Sequence, residues 1–355
     1  MLDFFGQSLE GLQELFAASG LPRFRARQAF EAVYKHKFFE PSLFPSLDAQ
    51  TKNFLAENFS FATGKLVGGA RSAGDAKKYL FALSDGNFVE SVMLCAPAGG
   101  GKTRNTLCVS TQVGCASGCK FCASAMRGFV RNLTSGEILS QLVPFVRAAS
   151  GESRGRVFDF ENIVVMGMGE PLANFDNLLA ALEVLNSPDK FAFGARRITV
   201  STCGLADKIR RLAEIKFPFR LAISLHGATD EVRSQIMPIN KKFPIAEVVA
   251  AARLFAETCG RMLTLEYILI DGVNDSFAQA HKLAEIAKEL HAHVNLIPYN
   301  PVEGLPWRRS PAARRKAFAG ILEIQKVSHT LRREKGAEID AACGQLALKR
   351  SRAEQ

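Results

Sequence analysis

Beyond residue 105 the chain alternates strand-like and helix-like patterns with a regularity that leaves few folds open. Strand-like runs stand at 106–110 (TLCVS), 162–166 (NIVVM), 197–202 (RITVST), 220–225 (RLAISL), 262–270 (MLTLEYILI) and 293–299 (HVNLIPY). Helical stretches lie between them, one opened by Thr134 with Glu137 three residues later, the spacing of a capping box. Six strands with intervening helices predict an α/β fold on a parallel sheet with right-handed crossovers, either open and doubly wound or curved into a partial barrel. In barrels the chemistry sits on loops beyond the strand C-termini. That rule gathers Gly167-Met168-Gly169-Glu170-Pro171, Ser201-Thr202, Ser224-Leu225-His226 and Asn300 onto one predicted rim.

The loop after the first of these strands carries GCASGCKFC, with Cys115, Cys119 and Cys122 at C-x3-C-x2-C spacing. Iron-sulfur cubes normally take four cysteine ligands, so three thiolates on one short loop leave one iron open to a substrate or cofactor. A zinc knuckle would need a second paired half, and none follows. Around such an open iron, Glu170 can accept from an ammonium group. Ser201, Ser224 and Asn300 can meet hydroxyls or a carboxylate, and glycines let the backbone approach closely. Each residue alone reads as a strand-end turn; the register with the cluster loop makes a cofactor site.

Residues 1 to about 60 read as three short helices, with Leu9, Leu12 and Phe16 in helical spacing and Pro22 opening the second. Residues 65–95 read as a hairpin turning at Ser84-Asp85-Gly86-Asn87. AGGGKTRN (98–105) reads as a flexible connector. Its Gly101-Lys102-Thr103 is no phosphate loop, because the motif needs glycine where Ala96 stands. Lys plus Arg exceeds Asp plus Glu by ten, which biases the surface toward a polyanion without proving RNA binding. The basic residues recur in groups: Arg23, Arg25 and Arg27; Arg308 and Arg309; Arg314, Arg315 and Lys316; Arg332, Arg333 and Lys335. No apolar run is long enough to cross a membrane, and the chain reads as a cytoplasmic enzyme of a reducing compartment. Cys95, Cys203 and Cys259 read as packing residues, although Cys203 follows the rim residues Ser201-Thr202. Trp307 reads as a packing anchor that could also stack on a base.

The C-x3-C-x2-C loop resembles the radical S-adenosylmethionine enzymes. Over nearly the whole chain the strings TLCVSTQVGC, GFVRNLTSGEI, MGMGEPL, ISLHG, MPINKK, VNLIPYNP and IDAACGQL, with FRARQAFEAVYKH near the start, resemble the RlmN and Cfr family. These are radical enzymes that methylate an adenine carbon in RNA. The resemblance implies a partial (β/α)6 barrel at 101–336, a helical RNA-binding accessory domain at 1–60, a β-hairpin connector at 61–100 and a C-terminal segment at 337–355. It implies one [4Fe-4S] cluster on Cys115, Cys119 and Cys122. It also implies S-adenosylmethionine contacts at Gly169, Glu170, Ser201, Ser224, Leu225, His226 and Asn300. Cys343 matches the cysteine that carries the methyl group, Cys108 the thiol that later forms a transient disulfide with it, and Glu90 the proton acceptor. Two S-adenosylmethionine molecules would be consumed per turnover, with electrons from a donor such as flavodoxin, by a monomer acting on 23S rRNA and tRNA. Glu170-Pro171-Leu172 and the tail RREKGAEIDAACGQL lean toward methylation at C2 of adenine over the C8 methylation of Cfr. An RNA-binding iron-sulfur protein without methyl transfer is the alternative from another class.

Overall fold

The computed structural model describes residues 1–61, 64–73, 75–97, 103–146, 158–332 and 344–346. Its centre is one ten-stranded sheet: β1 (Gly64–Ala73), β2 (Ala76–Leu83), β3 (Phe88–Pro97), β4 (Thr103–Cys108), β5 (Asn162–Val165), β6 (Ile198–Thr202), β7 (Arg220–Ser224), β8 (Thr264–Leu269), β9 (His293–Pro298) and β10 (His329–Leu331). Each strand lies beside its predecessor in sequence, so the order runs unbroken from β1 to β10. β1 to β4 pair antiparallel and β4 to β10 parallel. The six expected parallel strands are present, and the sheet stays open at its β1 and β10 edges. β10 was not legible as a strand: it is three residues long and carries His329, too short a run to show alternation.

The expected hairpin is there, closed by the Leu83 N–H donating to Asn87 O at 2.8 Å, but it is not a separate connector. A third strand, β1, joins it on one side, and β3 pairs with β4 on the other from Pro97↔Thr103 to Val92↔Cys108. The segment expected to be a flexible link therefore ends in strand at Thr103–Asn105; residues 98–102 lie outside the described part.

Helices α1 (Leu9–Ala18), α2 (Arg23–Tyr34) and α3 (Ala49–Asn58) precede the sheet. Ser8 caps α1 by accepting from Gly11 N, and Asp48 caps α3 by accepting from Thr51 N. The Arg25 guanidinium reaches Asp48 at 2.9 Å and Ser46 O at 2.8 Å, so this member of the first basic group staples α2 to the start of α3. The unit docks through aromatics: Phe5, Tyr34 and Phe39 surround Phe191, and Lys190 Nζ donates to Phe5 O and Gln7 O.

Between the parallel strands run α4 (Ala123–Met126), α5 (Ser135–Ser140), α6 (Phe175–Asn186), α7 (Ala206–Glu214), α8 (Asp230–Ile236), α9 (Ile245–Cys259) and α10 (Phe277–Glu289), with α11 (Ala312–Ile324) before β10. Thr134 and Glu137 form the expected reciprocal cap on α5. Val200, Leu221, Ile223, Leu265, Tyr267, Val294 and Leu296 share one face of the sheet and are at most 1% exposed or fully buried. Apolar helix residues such as Leu178, Ile209, Leu212, Phe255 and Leu283, themselves fully buried, belong to the same core. Each large aliphatic side chain removed from water there stabilises the fold by about 1.5–3 kcal/mol.

Candidate active site

Side chains alternate across a strand, and residues directly opposite on neighbouring strands point to the same side. Register therefore assigns every group on the other face of the sheet. Lys78 opposes Val92, and Val92 opposes Cys108. Cys108 opposes Val164, Thr199 opposes Val164, and Ser201 opposes Ala222. Ser224 opposes Glu266, which opposes Asn295. Steps of two along the strands add Glu90, Ile268 and Ile297. Glu90, Cys108, Ser201, Ser224 and Glu266, from five strands, thus share one inner face.

The cysteine loop sits over this face. A short ribbon, Gln112–Gly114 against Phe129–Asn132, brackets the loop, and Cys115 N–H donates to Gly128 O at 3.0 Å. Gly114 has φ +74°, and a Cβ there would lie 1.8 Å from Gly128 O, so only glycine permits this closure. Cys122 N–H donates to Cys119 O, which folds the trio into a turn whose three cysteines all line one open cavity. Burial, then the neighbouring thiols, raises the pKa of the Cys119 thiol far above its ordinary value, and burial raises that of Cys115.

The loop after β5 is zipped to the loop after β4. Met168 N–H donates to Ser110 Oγ at 2.8 Å, Glu170 N–H to Gln112 Oε1 at 2.8 Å, and Thr111 N–H to Met168 O at 2.8 Å. Gly169 has φ +100°, and a Cβ there would meet Gln112 Cβ at 2.5 Å. The buried Glu170 carboxylate accepts Leu172 N–H at 3.0 Å and Cys203 N–H at 2.7 Å. Burial raises its pKa, with the Cys203 and Leu172 hydrogen bonds opposing. The two backbone donors fix the orientation of this carboxylate at the cavity wall.

His226 has φ +55° and accepts Ile268 N–H on Nδ1 at 3.1 Å, so its proton sits on Nε2. Burial, with Arg233 adding to it, pushes its pKa down to about 3. It lies edge-on to Phe121 with ring centroids 4.9 Å apart. The imidazole is a neutral donor at the cavity wall.

Of the site residues expected from sequence, Cys115, Cys119, Cys122, Gly169, Glu170, Ser201, Ser224 and His226 line this one cavity. Ser201 Oγ and Ser224 Oγ are 3.3 Å apart. Leu225 lies between two wall residues with its side chain buried. Asn300 is buried and is not among the lining residues; its Oδ1 accepts from Arg309 at 3.4 Å. Cys108 is 8% exposed and Glu90 3%; both share the inner face but not the cavity wall. Glu90 does not face solvent as its alternating neighbours allow: it forms a 3.0 Å ion pair with Lys78, also buried, and its carbonyl accepts from Ser110 Oγ at 2.6 Å. Cys343 lies outside the described residues. Gly344, which follows it in sequence, lines the cavity and accepts Ala123 N–H on its carbonyl at 2.7 Å, while Ser124 Oγ donates to Leu346 O at 2.6 Å.

Sequence reasoning missed several groups. Cys203, assigned to packing, forms part of the cavity wall with Sγ 3.4 Å from Ser117 Oγ; its place just past β6 was the available signal. Glu266 and Arg332 also line the cavity. Arg233 on α8 is fully buried: it donates to Cys203 O at 2.6 Å, Leu225 O at 3.1 Å, Phe243 O at 3.2 Å and Asn240 Oδ1 at 2.6 Å. It ties the ends of β6 and β7 together beneath the cysteine loop, whose Lys120 N–H donates to Ile236 O at the end of the same helix. Nothing in the run DEVRSQI distinguishes it from a solvent-facing arginine. Trp307 packs edge-on to Tyr299, as an anchor.

The model of the Radical SAM superfamily matches residues 109–284, a span that holds the cysteine turn, the glycine-bearing rim and Glu170. Curated relatives include proteins named probable dual-specificity RNA methyltransferase: RlmN 3 of Opitutus terrae, 50% identical over 99% of this chain and 95% of that one, and RlmN of Akkermansia muciniphila, 46% identical over 97% and 95%. The crystal structure of a radical SAM methyltransferase from Sphaerobacter thermophilus superposes with a TM-score of 0.89 at 40% identity, covering 98% of this chain and 99% of that one. The chain belongs to the RlmN family.

Proposed function

We propose that this enzyme methylates C2 of an adenosine in 23S rRNA, and of the adenosine beside the anticodon in tRNA, through a methyl group carried on Cys343. The name shared by its relatives, dual-specificity RNA methyltransferase, supports an RNA substrate. The observation that carries the reading is the common inner face. Cys108 and Glu90, both away from the cavity wall, stand on it with the wall residues Ser201 and Ser224, and Gly344, the residue after Cys343, lines the cavity.

A [4Fe-4S] cluster on Cys115, Cys119 and Cys122 with S-adenosylmethionine beside it supplies, when bound, both methyl groups and radical chemistry, which an electron-poor adenine carbon without a lone pair requires. Around it the chain's own groups divide the work. Glu170, fixed by two backbone N–H groups, receives the ammonium group of the cofactor. His226 donates from Nε2, and Ser201 and Ser224 offer hydroxyls. Phe121 shields the cluster side. Cys343 acts as nucleophile toward a first methyl sulfonium, as a thiolate can. Glu90, held by Lys78, takes the proton that C2 loses from the protein-RNA adduct. Cys108, as its thiolate, then attacks the Cys343 sulfur: the S–S bond forms, and the S–CH2 bond breaks with its electron pair left on the carbon bound to C2. A solvent proton on that carbon completes the methyl group and frees the base, and an external thiol reductant restores both cysteines. Two cofactor molecules are spent per product, and an electron donor of the flavodoxin kind keeps the cluster reduced. The chain acts as a monomer in the cytoplasm. No helix among the described residues is long and apolar enough to cross a membrane.

Digesting rRNA and tRNA from a deletion strain and from a complemented strain, then separating methyladenosines, tests this. The 2-methyl isomer should appear in both RNAs only on complementation. The 8-methyl isomer would assign Cfr-type chemistry, and no product would leave an RNA-binding cluster protein.

A further inference from the structure

Glu266 sits in the middle of β8 with a carboxylate that the fold satisfies only in part. Oε1 accepts from Asn295 Nδ2 at 2.9 Å. Oε2 is buried and has no hydrogen-bond partner among the described residues. Arg332 Nη1 stands 4.0 Å from it, an ion pair too long to be a hydrogen bond. The residue is 3% exposed, yet it lines the cavity. Burial raises its pKa, with Arg332 and Asn295 opposing. An orphaned buried carboxylate oxygen is costly unless a ligand supplies the donor.

Position identifies that donor. The amino-acid end of the cofactor belongs beside the cysteine loop and Glu170, whose Oε2 already reaches the end of β6 at Cys203 N. β6 and β8 are two strand spacings apart, roughly 10 Å. What lies along that line is the nucleoside. Glu266 directly opposes Ser224, whose hydroxyl is at the cavity wall, and one step further along the strands Ile268 and Ile297 offer apolar surface for a base. A carboxylate next to a hydroxyl, with one oxygen unused, suits a vicinal diol.

We infer that Glu266 binds the ribose diol of the cofactor nucleoside through Oε2. The inference rests on the cavity's being the S-adenosylmethionine site, and the test separates the two. Cluster-reconstituted wild type and Glu266→Gln are titrated by calorimetry with S-adenosylhomocysteine and with its 2′,3′-dideoxy analogue. In wild type, loss of the diol should weaken binding at least about tenfold, as for hydrogen bonds to a charged acceptor. In Glu266→Gln the same loss should cost less than about threefold, because the variant has already lost the carboxylate that the diol meets. A dideoxy penalty of equal size in both proteins, or no penalty in wild type, overturns the role of Glu266. No binding of S-adenosylhomocysteine to wild type overturns the cofactor reading itself. If Glu266→Gln fails to hold iron, Glu266→Asp, which withdraws the carboxylate by one methylene and keeps the charge, replaces it with the same expected loss of discrimination.

Discussion

On β8, Leu265 and Tyr267 point to one side of the sheet and Glu266 and Ile268 to the other, and the two sides are held to different standards. The outer side is aliphatic and aromatic, closed under helices, and complete in itself. The inner side holds a buried carboxylate with an orphan oxygen, a buried Lys78–Glu90 pair, a thiol at Cys108 and two hydroxyls in contact. Unsatisfied or paired polar groups are destabilising to bury, so the inner face trades stability for chemistry and depends on the outer face to stay folded. Substitutions on the two sides should separate stability from function.

The largest separation is expected at the cysteine loop. Cys119→Ala should lose the cluster and all methyl transfer while the thermal midpoint of the iron-free protein stays within a few degrees of wild type. Iron analysis beside calorimetry checks this, and retained iron with full activity would break the ligand assignment. On the outer face, Leu221→Ala should lower stability by about 2–5 kcal/mol through lost burial and a cavity, read as a lower denaturant midpoint at unchanged slope, with cofactor affinity intact once folded. A cofactor defect as large as the stability defect would mean that the faces are not separable.

Arg233 tests the seam between them. Its charge lies beneath the cysteine loop and its donors hold Cys203 O and Leu225 O. Arg233→Met should leave those carbonyls unpaired, cost about 3 kcal/mol or more, and shift the cluster potential downward, because a nearby cation favours the reduced, more negative cluster. Arg233→Lys should keep most of the potential and only part of the stability, since an ammonium cannot reproduce the guanidinium fork. An unchanged potential in the methionine variant would reduce Arg233 to a brace.

His226 gives a smaller, pH-dependent effect. Its folded pKa, about 3, lies below the ordinary 6.5, so the unfolded state binds the proton more readily. The stability difference is absent above about pH 6.5, and stability is lost as pH falls toward 3. Against His226→Asn, wild type should therefore lose relative stability steadily between about pH 6.5 and 4. A flat difference would contradict the neutral-donor assignment. The smallest change is expected for Ser201→Ala, within about 0.5 kcal/mol in stability, yet with several-fold weaker cofactor binding by titration.

The contrast between the faces also explains what the sequence disclosed. Strands β5 to β9 announced themselves because the outer face needs alternating aliphatics of recognisable length, and the cysteine spacing and strand-end glycines marked the rim. β10 escaped because three residues show no period. From the residues alone the inner face was legible only where its groups fell at strand ends, as Ser201 and Ser224 do; Cys108 and Glu90 were reached through the resemblance. Glu266 sits in mid-strand, where a charged residue reads as a solvent-facing position. Glu90 alternates with apolar neighbours in the same way, and only the register of β2 to β4 brings Lys78 to it. The burial of Arg233 depends on carbonyls from three separate segments, which no local pattern encodes.

The most direct test of the shared inner face is the fate of RNA in cells producing Cys108→Ala. Cys108 lies off the cavity wall, and the proposed chemistry joins it to Cys343. If Cys343 carries the methyl group and Cys108 resolves the adduct, this variant should accumulate a covalent protein-RNA complex that collapses on nuclease digestion, while Cys343→Ala and the double variant should show neither complex nor methylated adenosine. Normal turnover by Cys108→Ala, or a trapped complex in the double variant, would contradict the account.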